Sequence, residues 1–382
     1  MLREKLSQFH TMILIYMIQT GVYVFSIAQN EAQFFGTNGW FSVIPISLLV
    51  CLNIYLISIV YRLGQGRSIF DILEQSIPKF ILVPFYLAIS LVWSLIGCLV
   101  AKQYVLIFQM FAFPTTNPMV FKFFIDVLAF LLLTKGLYNI SKASTVFFWS
   151  TIWLNLLMLY YVGEFKLERL TPYVFQDGGN MVEGFFQIYL AYLGYELCML
   201  LFPYADKKTK LMKAALYGHL IRTASYVIMS FVSFGVIGHE LLKQMLFPLL
   251  DLLAYIKLPF IERIENLFYG FFLFTTVITL VMYFWAAGES TRRVFPRIKI
   301  NVHPEFRKRI RMRWRSSRSG STTVNKWEWD QRNFETNIHM GITPPSPEKG
   351  HCCFPCEMLE AVTPIEPLWL RFVSMHDDRR NP

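Results

Sequence analysis

The chain has 382 residues, 54% of them hydrophobic and only 16% charged, with a formal net charge of +10. Soluble domains carry about 25% charged residues, so this composition excludes an ordinary water-soluble fold and places the chain in a bilayer. The basic residues sit in short segments between apolar runs, where they report topology and not nucleic-acid binding.

A membrane span needs about 20 largely apolar residues. In chain order the predicted spans are 9–28, 39–61, 80–101, 119–135, 144–163, 184–203, 213–237 and 267–287, eight in all. The first is as long as a full span and has no small-residue cleavage site after it, so it is read as a transmembrane helix and not as a signal peptide. The third is expected to run on toward Phe113, because LVAKQYVLIFQMFAF keeps a helical pattern. The stretch 241–258 is apolar but interrupted by Pro248, Asp251 and Lys257, and is read as one or two interfacial helices on the outer surface.

Charge sets the orientation. Arg3 and Lys5 precede span 1, Arg62, Arg67 and Lys79 follow span 2, and Lys135 and Lys142 follow span 4. Lys207, Lys208, Lys210 and Lys213 follow span 6, and Arg292, Arg293, Arg297 and Lys299 follow span 8. Residues 29–38 and 111–118 contain no Lys or Arg, and in 164–183 the two basic residues are outnumbered by Glu164, Glu168, Asp177 and Glu183. Positive charge concentrates on the cytoplasmic side, so the N-terminus is expected inside and span 8 returns the chain inside.

The sequence changes character after about Ile300. Residues 301–382 hold no span but an Arg-rich run from Arg307 to Arg318, a Pro-rich piece and a charged end. They are expected to form a cytoplasmic, basic, disordered tail, with the Arg-rich run either drawn to anionic headgroups or simply solvated. Cys352, Cys353 and Cys356 cluster there, with His351 as the candidate fourth ligand of a zinc site; the preferred reading is that no metal binds. Cys51, Cys98 and Cys198 lie in apolar runs and are read as packing residues. GxGxxG, Walker, HExxH and GxSxG motifs are all absent. Neither catalysis nor a cofactor is expected.

Polar groups inside the spans are the informative ones, because burying them in lipid is costly. In span 1, TGVYVFSIA puts Gly21 and Ser26 in the middle to outer half. The segment is either locally unwound or simply a site of close helix packing at Gly21. In span 6, AYLGYELC puts Gly194 beside Glu196. That carboxylate either faces a cavity or reaches the inner interface. Glycine-interrupted helices at corresponding positions of two repeats point to a mid-membrane substrate site. Thr275, Thr276 and Thr279 on span 8 either help to hold a cation or bond back to their own helix. Asn53 and Asn155 are read as interhelical hydrogen-bonding groups, Lys122 as a partner of Asp126, and Lys102 as snorkelling to the outer interface.

The segments LSQFHTMILIYMIQTGVYVFSIA, RLGQGRSIFDIL, LYNISKASTVFF, ERLTPYVFQDGGNMVEGFFQIYLAYLGYEL and FWAAGESTRRVFP resemble the endospore germination permease family over roughly residues 4–300. These are the B subunits of spore germinant receptors, related to the amino acid–polyamine–organocation transporters. The resemblance implies an all-α, polytopic, LeuT-like bundle of ten spans in two inverted repeats. Here residues 1–300 would form the permease-like domain, and spans 9 and 10 are missing. A shifted reading frame near codon 300 is preferred over genuine loss of two spans. The resemblance further implies a subunit of the spore inner membrane that works with A-type and lipoprotein C-type subunits. It would bind an amino acid, sugar or nucleoside between spans 1 and 6, lined by Gly21, Tyr23, Ser26, Tyr192, Gly194 and Glu196. A secondary transporter driven by H⁺ or Na⁺, and a structural scaffold or non-functional truncated paralogue, are the alternatives.

Overall fold

The computed structural model describes residues 5–112, 114–170, 173–205, 210–256 and 264–295. The cysteine cluster, the Arg-rich run and the whole of 301–382 lie outside the described residues, as do Lys207, Lys208 and Lys257. Every described element is helical, and the one extended pairing among the described residues is an isolated parallel bridge between Leu6 and Ala205.

Among the described residues, six helices are long and apolar enough to cross a membrane: Gly39–Leu63, Lys79–Phe111, Leu137–Tyr161, Met181–Tyr204, Leu211–Ile237 and Leu267–Val294. They coincide with predicted spans 2, 3, 5, 6, 7 and 8. Their side chains sort as lipid-facing helices should. In α3 (Val43–Leu63), counted after α1 (Gln8–Gln19) and α2 (Ile27–Phe35), Val43, Ile46, Val50, Ile54 and Ile57 form a buried stripe. Leu48, Leu52, Tyr55 and Leu56 stand at least half exposed on the opposite face. In water such a face would be an aggregation site; in lipid it needs no partner.

The two remaining predicted spans fall short for different reasons, span 1 because it is broken and span 4 because it is short. Span 1 is α1, a 3₁₀ turn at Val22–Phe25 and α2. Span 4 is α6 (Pro118–Leu133), only 16 residues long, started by Pro118 after the Asn117 cap. Asp126 accepts from Lys122 at 2.6 Å across one helical turn, as expected. Between them lie α4 (Ile69–Ser76), a short helix that the sequence reading left as loop, and α5 (Lys79–Ala112). The third span thus runs on past residue 101, as its pattern implied. At 34 residues α5 is about 50 Å long and outreaches a ~30 Å hydrocarbon core.

Further along come α7 (Leu137–Thr151), α8 (Met181–Ala191), α9 (Leu211–Ile237), α10 (His239–Leu242), α11 (Pro248–Tyr255) and α12 (Ile264–Val294). Lys142 therefore lies inside α7, where its Nζ sits 4.3 Å over the Tyr138 ring, and not in the loop assigned to it. Two short helices do form in 239–255, but α11 is not laid on the surface. Its Leu249, Leu250, Leu252 and Leu253 are buried against α12, α9, α2 and the 22–25 turn. Four leucines in one eight-residue segment gain more from the protein interior than from an interface.

α12 runs along α5 and also meets α6, α7 and α1; α1 packs on α9 and α7, and α3 on α9. The polar pairs inside the bundle hold helices together. Asn53 donates to Tyr189 and Tyr195 hydroxyls at 3.2 and 2.9 Å, and Asn155 to the Tyr16 hydroxyl at 3.4 Å.

Candidate functional site

The first interruption follows α1. Thr20 caps the helix with ψ +66°, and Gly21 continues in an extended conformation, φ −85° and ψ 173°. That is backbone any residue adopts, so Gly21 is not needed for the break. A Cβ built on it meets nothing within 4 Å, so the backbone here faces open space. Tyr23 lies in the 3₁₀ turn, partly buried, and Ser26 leads into α2 without capping it through its side chain.

The second interruption follows α8, which ends at Ala191. Tyr192 is fully buried at its end, and Gly194 turns the chain at φ +116° into a 3₁₀ segment, Tyr195–Tyr204. Here glycine is required twice over. The left-handed backbone disfavours a side chain, and a Cβ would come within 2.4 Å of Ile18 Cγ2. Glu196 is tied to its own turn: Oε2 accepts from the Gly194 N–H at 2.7 Å and Oε1 from the Tyr283 hydroxyl at 3.0 Å.

The two breaks meet. Gln19 Nε2 donates to the Tyr192 carbonyl at 2.8 Å. Tyr226 on α9 places its hydroxyl 3.1 Å from the Gln19 carbonyl and 3.0 Å from that of Ala191. Thr279 Oγ1 lies within 3.3 Å of the Met17 carbonyl and 3.2 Å of the Ile18 carbonyl, as well as of its own helix at Thr275. Thr275 and Thr276 both bond back to Phe272 O, at 2.8 and 3.2 Å. Of the three threonines, only Thr279 thus turns its hydroxyl toward span 1.

A small cavity, with room for about a water or two, adjoins the first break. Its polar lining is Tyr16, Thr20, Thr151, Asn155, Arg222 and Thr275. Val24, Leu154, Met229, Phe268 and Phe272 complete it. It lies between spans 1, 5, 7 and 8. Of the residues singled out from sequence as ligand or cation groups, Thr275 alone lines it; Gly21, Tyr23, Ser26, Tyr192, Gly194 and Glu196 do not.

Three buried ionisable residues escaped the sequence reading. Glu31, 0% exposed, lies in α2 and accepts from Ser230 Oγ at 2.8 Å. His219 pairs through its ring nitrogens with Gln19 at 3.3 Å and Ser47 at 2.9 Å. Arg222 stands one turn further along α9. The signal was available: an ionisable residue inside an apolar span is a functional candidate by default. Glu31 was hidden because span 1 was ended at 28. No group of three or more His, Cys, Asp or Glu side chains that could hold a metal ion occurs among the described residues.

An all-helical, multi-pass membrane protein with two interrupted spans meeting inside the bundle is the class that fold and site define. The chain belongs to the spore germination protein family of spore permeases, whose profile matches residues 5–304. It is similar to spore germination protein GerQB of Bacillus cereus, 21% identical over 292 residues, covering 75% of this chain and 80% of the relative. It is also similar to spore germination proteins A2 and B2 of Bacillus subtilis strain 168. A2 is 24% identical over 274 residues (68% and 72% covered) and B2 23% over 269 (69% and 72%). The matched stretch stops close to the point where the sequence changes character.

Proposed function

We propose that this chain is the germinant-sensing membrane subunit of a spore germination receptor, binding a small molecule such as an amino acid at mid-membrane between spans 1 and 6. The observation that carries this reading is the meeting of the two interruptions, at Gln19–Gly21 and Ala191–Gly194, through Gln19, Tyr192 and Tyr226. Interrupted helices free backbone N–H and C=O groups from their ladder, and paired discontinuous spans are where LeuT-like transporters hold substrate and ions. In this reading the bundle is LeuT-like, and Gly21, Tyr23, Ser26, Tyr192, Gly194 and Glu196 surround the ligand. Thr275, Thr276 and Thr279 then belong to a cation site completed by the Met17 and Ile18 carbonyls.

The subunit would sit in the spore inner membrane with its N-terminus and its 301–382 tail in the cytoplasm, beside A-type and lipoprotein C-type partners. It carries no catalytic role. A transporter driven by H⁺ or Na⁺ is the second reading, favoured by the approach of Thr279 to the Met17 and Ile18 carbonyls; solute uptake into proteoliposomes separates it from a sensor. The test of the first reading is Gly194→Leu in spores, in a version repaired beyond codon 300. The germinant response should vanish while the protein persists in the membrane. A normal response would remove the break in span 6 from function.

A further inference from the structure

Arg222 is buried on α9, at 2% exposure. It stands about 16 Å along that helix from Leu211, near the midpoint of a ~30 Å hydrocarbon core. A guanidinium does not give up its proton in a protein, so this is a full charge at a depth where charge is costly. Its hydrogen-bond partners are all neutral. Nη1 donates to Thr20 Oγ1 at 3.3 Å, and the Tyr16 and Tyr226 hydroxyls are further partners. The rings of Tyr16 and Tyr226, 5.6 and 3.9 Å from the guanidinium carbon, add the attraction of an aromatic face for a cation. Neutral partners solvate the charge but do not cancel it.

No carboxylate pairs with Arg222 among the described residues. The buried carboxyl of Glu31 bonds instead to Ser230, about 12 Å further along α9. What adjoins Arg222 is the small cavity between spans 1, 5, 7 and 8. It has room for about a water or two, and no acidic residue lines it. Two of its lining groups have hydrogens to give. The Tyr16 hydroxyl accepts from Asn155 Nδ2 at 3.4 Å and from Arg222, since an amide NH₂ and a guanidinium only donate. Its own hydrogen is left with no acceptor among the described residues, and so is the second hydrogen of Asn155 Nδ2. The Thr151 and Thr275 hydroxyls, by contrast, are spent on carbonyls of their own helices.

We propose that this cavity binds a single chloride ion, held by the Arg222 guanidinium, the Tyr16 hydroxyl and the Asn155 amide. A monatomic anion is only slightly larger than water, so it fits where a carboxylate, phosphate or sulfate does not. Each of the three groups donates to it, and hydrogen bonds to a charged partner are the strong ones. A metal cation would be repelled by Arg222. The proposal goes beyond the sensor reading and does not rest on it, because the ion cancels the charge at the centre of the bundle whatever molecule the chain senses.

The test is thermal unfolding of the purified full chain in lipid nanodiscs, in sodium chloride, sodium bromide or sodium gluconate at one ionic strength. Chloride and bromide should raise the unfolding temperature in a saturable way, as a ligand of the folded state does, and the bulky gluconate should not. Arg222→Gln should remove the halide dependence. Its unfolding temperature in gluconate should not fall, since an uncompensated buried charge has been removed. Asn155→Leu keeps the charge and removes a donor, so it carries the test even if Arg222→Gln fails to fold. It should weaken chloride by about 10- to 100-fold, the loss expected for a hydrogen bond to a charged group. Crystals of the parent protein grown in bromide should show one anomalous scatterer beside Arg222.

Equal unfolding temperatures in chloride and gluconate overturn the proposal and leave the cavity to water. So does an undiminished chloride shift in Arg222→Gln or Asn155→Leu, which would put the ion elsewhere. Bromide density beside Arg222 with no halide shift in solution marks an adventitious ion only and overturns it too. The spore response of Gly194→Leu bears on none of these outcomes, so the sensor reading stands or falls separately.

Discussion

Gly194 packs so closely on Ile18 that a β-carbon at 194 would lie 2.4 Å from Ile18 Cγ2. The break in span 6 thus bears directly on the last turn of α1. Gly194→Ala combines this overlap with a left-handed backbone conformation that costs a side chain roughly 1–2 kcal/mol. Adding Ile18→Ala should relieve the overlap and leave the backbone cost. Unfolding of the two single variants and the double variant should therefore show partial, not full, recovery. Full recovery would mean that the backbone at 194 adapts freely.

Gly21 offers the contrasting case. Its backbone is ordinary and a Cβ there meets nothing within 4 Å. Gly21→Ala should fold and respond to germinant normally. Gly21→Leu should also reach the membrane but lose the response, because it fills the open space beside the break. Equal responses in the two variants would take Gly21 out of the site.

Glu196 holds the span 6 turn by accepting from Gly194 N and Tyr283 Oη. Glu196→Gln keeps an acceptor for the Gly194 N–H but forces the Tyr283 hydroxyl to accept from the amide instead of donating, and both bonds lose the strength that a charged acceptor gives. A hydrogen bond to a charged group contributes about 1.5–3 kcal/mol, and Glu196→Gln should destabilise the protein on that scale. With Tyr283→Phe in place, the further cost should be smaller. Strict additivity in this double-mutant cycle would show that the two side chains act independently.

The topology makes a separate prediction. Arg293 bonds Asp71 at 2.6 Å and approaches Glu74 at 3.7 Å, joining the loop after span 2 to the end of span 8. Leu6 N donates to Tyr204 O at 2.9 Å, near the end of span 6. On the other side, Thr37 and residues 175–176 exchange backbone bonds at 2.8 Å. These are the groupings that the charge pattern assigns inside and outside. A membrane-impermeant thiol reagent added to intact cells should label Glu168→Cys and spare Gln65→Cys. The reverse result would invert the orientation.

Asp251 sits in the first turn of α11, where burial raises its carboxyl above the ordinary carboxylate range. A carboxylate raised by folding is at ease when protonated, and stability declines as pH climbs from its unfolded value through its folded one. Asp251→Asn should therefore be more stable than the parent at neutral pH, with the gain fading as pH falls to the ordinary carboxylate range. Parallel pH–stability curves for parent and variant would show that the burial has no energetic effect.

What the sequence disclosed followed from the chemistry of the runs. Spans 2, 3, 5, 6, 7 and 8 are long and uniformly apolar, and the bilayer's demand for about 20 such residues makes them legible. The break in span 6 was legible because Gly194 stands beside a carboxylate. The break in span 1 was legible at Gly21, although it begins at Thr20 and owes nothing to glycine's freedom. The cavity was not legible. Thr151, Asn155, Arg222 and Phe268 come from three spans, and no spacing within one helix shows that they converge. Arg222 itself was absorbed into an apolar average, which two charges, Lys213 and Arg222, among the 27 residues of α9 barely lower. Glu31 was misplaced because α2 (Ile27–Phe35) carries the chain on in helix past residue 28, where the predicted span had ended.

The Tyr226 hydroxyl carries one hydrogen and faces two helix-terminal carbonyls, those of Gln19 at 3.1 Å and Ala191 at 3.0 Å. It serves one of them at a time or splits itself between both. Passing the hydrogen across changes no net count of bonds, so the junction has two settings that differ only in a rotation about the tyrosine C–O bond. Moving either helix end away from the hydroxyl favours the bond to the other. The same ring lies 3.9 Å from Arg222, so one tyrosine links the buried charge of α9 to the junction of the two interrupted spans.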